Sequence, residues 1–101
     1  MQALLELAVK KGVTDPLYLN YYGYALIDHD VNIDRGIELV KIALKEKPKN
    51  TYYLDSLAWG LYKKGQCKEA YKIMKAVVAK EGLGEEEIKT HWDLIRECGL
   101  E

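Results

Sequence analysis

The side chains able to do chemistry are few and scattered. Two histidines, His29 and His91, and two cysteines, Cys67 and Cys98, are the whole stock of imidazoles and thiols. His29 falls in a predicted turn and His91 on the last predicted helix. No serine or cysteine is placed beside either, so no nucleophile and base come together and no enzyme is expected. The cysteines do not form a C-x-x-C pair, and two cysteines with two scattered histidines do not match a zinc spacing. Two reduced, partly buried thiols and no metal or cofactor are therefore expected. The run Asp28-His29-Asp30-Val31-Asn32-Ile33-Asp34 opens like a calcium loop, with oxygen-bearing side chains at alternate positions. Its sixth residue is Ile33, where the sharp turn needs glycine, and its twelfth is Leu39, where a bidentate glutamate is required. The run reads as an acidic turn in which Asn32 caps the following helix.

Charge narrows the partners. The net charge is −1, with 31% charged and 49% hydrophobic residues, the composition of one globular domain without a pull towards polyanions. Lys41, Lys45, Lys68, Lys72 and Lys75 recur at helical spacing on a predicted outer surface, but arginines and interleaved aromatics are missing. That stripe reads as a solvated face, with nucleic acid or anionic lipid only a minor alternative. Acidic residues from Glu81 to Glu101 dominate the end of the chain. No apolar run approaches the roughly 18 residues of a membrane span, no signal peptide opens the chain, and no direct membrane insertion is expected.

The elements that must position these groups are helices throughout. Leu54, Leu57, Ala58 and Leu61 form one stripe at helical spacing, and Ala70, Ile73, Met74 and Val77 form a second. A short turn around Gly65-Gln66 joins them as an antiparallel hairpin. Capping signals fix the rest. Asp15 and Pro16 start a helix running to about Asp28, and Asn32 starts one that ends near Lys47 before Pro48. Asn50 or Thr51 starts the next, and Gly65 and Gly82 are the stops. Glu85, Glu86 and Glu87 open the last helix, where acids meet the positive end of the dipole. An earlier helix is predicted over residues 2–11.

The hairpin has a second copy. Leu19, Tyr22, Gly23 and Leu26 align with Leu54, Leu57, Ala58 and Leu61, and Gly36, Val40, Ala43 and Pro48 with Ala70, Met74, Val77 and Gly82. Ile88, Ile95 and Gly99 match the first half of a third copy, and Leu4, Leu5, Ala8 and Val9 the second half of an earlier one. This pattern resembles the 34-residue tetratricopeptide repeat (TPR), a family of stacked helical hairpins. The expected architecture is all-α, a right-handed superhelix of about six helices. Its parts are residues 1–12 as the second helix of a truncated repeat, 16–49 and 50–82 as repeats, and 84–99 as a capping helix. Gly23 is expected against Gly36, and Ala58 against Ala70. Trp92, in the slot of Gly23 and Ala58, marks the cap. The wording NYYGYALID and YLDSLAWGLYKKG looks like bacterial members, several of them envelope lipoproteins, so the compartment is either the cytoplasm or a bacterial envelope.

The resemblance implies a protein interaction module that takes a partner's peptide or helix in an inner groove. Carried over by alignment, the groove comprises Leu17, Asn20, Tyr24, Ile27 and Asp28, then Tyr52, Asp55, Trp59, Tyr62 and Lys63, then Glu86, Lys89, Asp93 and Arg96. Tyr24, Trp59 and Tyr62 would form an aromatic floor, and Asn20, Asp55 and Lys63 would hydrogen-bond a peptide backbone. Tyr24 and Trp59 stand where a carboxylate clamp needs asparagines, which argues against that clamp. The alternative is self-association to a homo-oligomer through the apolar N-terminal helix, whose Leu4, Leu5, Leu7 and Val9 lack a partner.

Overall fold

A helix starts where a side chain satisfies its first backbone donors, and three of the expected caps do so in the computed structural model. Asp15 accepts from the Leu17 amide at 3.0 Å and opens α1, Pro16–Asp28, with Pro16 at its first turn. Asn32 accepts from the Arg35 amide at 3.1 Å and opens α2, Ile33–Glu46. Asn50 accepts from the amides of Tyr52 and Tyr53 and opens α3, Thr51–Lys63. Two further helices follow, α4 over Cys67–Glu81 and α5 over Glu86–Gly99. The structure describes residues 15–99. The expected helix over 2–11, and the self-association assigned to it, lie outside the described residues.

The ends are set by backbone chirality. After α3, Gly65 takes φ 83°, and the amides of Gly65 and Gln66 return to the carbonyls of Tyr62 and Leu61, a Schellman closure. After α1 the same closure forms around Asp30 at φ 55°, with the amides of Asp30 and Val31 returning to Ile27 and Leu26. Few residues with a β-carbon enter that conformation, and aspartate is one of those that do. Its carboxylate is held by Lys63 Nζ, 3.1 Å from both oxygens.

Each helix packs on the next in the chain, and in addition α1 lies against α3 and α3 against α5. The backbones of α1 and α2 approach each other closely. A β-carbon on Gly23 would stand 2.7 Å from the Gly36 carbonyl oxygen, so no larger residue fits there. One core cluster joins Leu19, Tyr22 and Leu26 of α1 to Leu39 and Ala43 of α2, with Tyr53 of α3 closing it. The larger cluster runs from Ile27 and Val40 through Ala58 to Met74 and Ile95. Leu19, Ile27, Leu39, Met74, Ile88 and Ile95 are buried to within 2%, each contributing about 1.5–3 kcal/mol of transfer free energy. The result is an all-α compact globule of five described helices with adjacent helix packing, its radius of gyration 13.2 Å.

Two expectations are corrected by this packing. Cys67 and Cys98 form a disulfide with a Cα–Cα distance of 5.6 Å; they are not the reduced thiols expected. Cys67 opens α4 and Cys98 lies in the last turn of α5, so docking the two helices brings together residues that no short spacing could pair. Ile27, expected on the groove surface, has no exposure and sits in the core, because the close approach of α1 and α2 turns it inward beside Gly36.

Candidate functional site

Helices α1, α3 and α5 each send one polar or aromatic group to a shared centre. Asp55 of α3 and His91 of α5 are 4% and 3% exposed, and His91 Nδ1 stands 3.0 and 3.1 Å from the two Asp55 oxygens. The other ring nitrogen, Nε2, lies 3.3 Å from the Tyr24 hydroxyl of α1. An imidazole in a core is tolerated only when both nitrogens have partners. Here both do, and the three helices are tied through one ring.

That ring also ends an aromatic stack. His91 lies on Trp59 at 4.2 Å between centroids and 19° between planes, and Trp59 lies on Tyr62 at 5.1 Å and 15°. Trp59 is 8% exposed and its indole N–H donates to Asp28 Oδ1 at 3.2 Å. Lys63 Nζ donates to the Asp28 carbonyl and the Asp30 carboxylate and stands 5.4 Å over the Trp59 ring. Trp59, Asp55 and Lys63 thus use up inside the fold the surface or hydrogen bonds expected to face a peptide. The Asp28–Asp34 turn spends its oxygens in the same way, on Trp59, Lys63, Lys64 and the α2 cap.

What stays open is a cleft of about 200 Å³ at the entrance of the same three helices. Leu17, Asn20, Tyr21 and Tyr24 line it from α1, Tyr52, Asp55 and Ser56 from α3, and Glu87 and Ile88 from α5, with Glu85 just ahead. Leu17 and Tyr21 are each 67% exposed and Tyr52 48%. Asn20 Oδ1 is buried in this region and accepts no hydrogen bond among the described residues. A second, wider cleft of about 550 Å³ is lined by Tyr24, Asp28, Trp59, Glu86, Glu87, Thr90 and His91. Of the expected groove residues, Leu17, Asn20, Tyr24, Tyr52 and Asp55 meet in the first cleft, while Ile27, Tyr62 and Lys63 do not reach it. Lys89 and Asp93 pair with each other at 3.0 Å.

The clefts are electronegative. Burial first, then hydrogen bonding to Glu87 and the charges of Glu87, Asp28 and Asp55, holds the Tyr24 phenol far above its ordinary value. Tyr52 donates to Glu85 at 2.7 Å and is raised by that bond and charge. Asp55 is raised by desolvation, which outweighs the lowering contribution of His91. Sequence reasoning missed Tyr21, Glu85, Glu87 and His91 as members of this centre. The one local signal was Glu87 and His91, four residues apart and hence on one helix face. Set beside protein-family models, curated proteins and solved structures, the chain matches none of them.

Proposed function

We propose that the chain forms a tetratricopeptide-like helical solenoid and works as a non-catalytic protein interaction module. A partner's peptide or helix would lie across the hollow lined by α1, α3 and α5. The observation that carries this reading is the order of packing. The odd-numbered helices lie side by side while α2 and α4 back them, and a single histidine bonds to both α1 and α3. The Schellman turns at Asp30 and Gly65 fall at equivalent positions of the two hairpins, as stacked copies require.

The mouth of the hollow supports a docking role, since Leu17, Tyr21 and Tyr52 place exposed apolar and aromatic area next to acceptors. Against catalysis stands the nature of the relay. Asp55, His91 and Tyr24 follow the order of an acid, an imidazole and a hydroxyl, but the hydroxyl is a phenol that burial holds in its protonated form. The Cys67–Cys98 disulfide supports oxidising surroundings such as a bacterial envelope, where such bonds persist.

The test is capture of binding proteins on the immobilised domain, comparing wild type with a Leu17→Asp/Tyr52→Ala variant of the mouth and a Lys45→Ala/Lys72→Ala variant of the lysine stripe. The mouth variant is expected to lose a protein that the other two retain. Loss only in the lysine variant would replace the hollow by the basic face as the working surface.

A further inference from the structure

The centre described above contains a metal-ligand set. We propose that Asp55, Glu87 and His91 bind one divalent transition-metal ion of the zinc class. The proposal stands on the positions of these three groups and does not depend on the groove reading.

Each of the three residues offers one ligand atom, and these atoms lie within 4.8 Å of one another. An ion with bonds of roughly 2.0–2.2 Å holds its ligand atoms roughly 3–4 Å apart. His91 Nδ1 and the Asp55 oxygens already stand 3.0 and 3.1 Å apart, the spacing of two neighbouring ligands on one ion. Glu87 precedes His91 by one helical turn and is exposed, so its side chain can swing in to complete the set while the two buried ligands stay fixed.

The surroundings prepare the imidazole. With the ion on the Nδ1 lone pair, the ring proton resides on Nε2, which donates to the Tyr24 hydroxyl oxygen at 3.3 Å. That is the outer hydrogen bond that metal-ligating histidines ordinarily make, and it fixes both tautomer and ring orientation. Trp59, stacked on the ring at 4.2 Å, holds its plane. The wide cleft whose wall includes Glu87 and His91 supplies an entry path and room for a water at the fourth position. Asp28 and Glu86 also line that cleft, and no lysine or arginine does among the described residues. One imidazole with two carboxylates suits zinc, cobalt or nickel. Calcium needs six or more oxygens, and magnesium keeps most of its waters.

The sequence-level expectation of no metal weighed the cysteines, the histidines and the Asp28–Asp34 run. It left out the carboxylates that the fold delivers to His91.

The experiment is a calorimetric titration of the oxidised protein with Zn²⁺, paralleled by Co²⁺ absorption and by quenching of tryptophan fluorescence with Ni²⁺ in a Trp92→Phe background that leaves Trp59 as the emitter. One Zn²⁺ per chain is expected, with Mg²⁺ failing to compete. Glu87→Gln, at an exposed position, should leave the ion-free melting curve unchanged and weaken Zn²⁺ at least about tenfold. His29→Ala, at an exposed histidine that lines neither cleft, should bind as wild type does. Absence of saturable one-to-one binding overturns the proposal. So does a Glu87→Gln protein that binds Zn²⁺ as tightly as wild type, or loss of binding in His29→Ala.

Discussion

Gly36 decides how closely α1 and α2 approach. A β-carbon there would stand 2.5 Å from the Gly23 carbonyl oxygen and 2.6 Å from Ile27 Cγ1. The backbone oxygen cannot step aside as a side-chain tip would. Alanine gains about 1 kcal/mol in helix propensity but incurs an overpacking cost of about 1–3 kcal/mol. Gly36→Ala is therefore expected to lower the urea midpoint, and an unchanged or raised midpoint would show that the helices can separate freely. Tyr24 makes a second prediction at this scale. Its phenol is raised in the folded protein, by burial before any other cause, so the folded state keeps a proton that the unfolded chain releases near pH 10. The associated stability is full below that pH and falls as pH rises beyond it. Comparing urea midpoints from about pH 9 to about pH 11, wild type should lose stability more steeply than Tyr24→Phe. Parallel slopes would mean that the phenol ionises equally in both states.

At the scale of elements, the two hairpin turns provide a matched pair. Gly65 occupies the left-handed region without cost, whereas Asp30 does so with its carboxylate tied to Lys63. Gly65→Ala should cost about 1–2 kcal/mol in chemical denaturation. Asp30→Gly should come out near zero, because relief of backbone strain is offset by loss of a largely exposed ion pair. A large loss in Asp30→Gly would show that the Lys63 contact matters more than the backbone conformation. These turns and caps were legible in the sequence because they are local. Asp15, Asn32, Asn50 and Gly65 act on amides within a few residues, so their types announce their roles. Ile27 was not legible, since one step around a helix separates groove from core and only the approach of α2 decides between them. Nor was the meeting of Asp55 with His91, which are 36 residues apart and on helices that touch through tertiary packing. The cysteine pair, with a separation of 31, has the same origin.

For the whole molecule, the disulfide closes a loop containing most of α4 and α5. In the chain-entropy account a loop of that size corresponds to roughly 3–4 kcal/mol, a large share of the stability of a domain this small. Reduction, or Cys67→Ser with Cys98→Ser, should lower the thermal midpoint clearly. Amide exchange should then quicken first in α5, whose other anchors are Ile88, His91 and Ile95. Unchanged exchange in α5 would mean that those buried residues hold it alone. Charge is unevenly placed: Asp28, Glu85, Glu86 and Glu87 line the clefts, while the exposed Lys41, Lys45, Lys68, Lys72 and Lys75 lie on α2 and α4. The working face is thus the central question, and amide chemical-shift mapping of the labelled domain with a captured partner tests it most directly. Perturbations are expected at Leu17, Asn20, Tyr21, Tyr52 and Glu87, around the hollow between α1, α3 and α5. Perturbations confined to α2 and α4 along the lysine stripe would contradict this expectation.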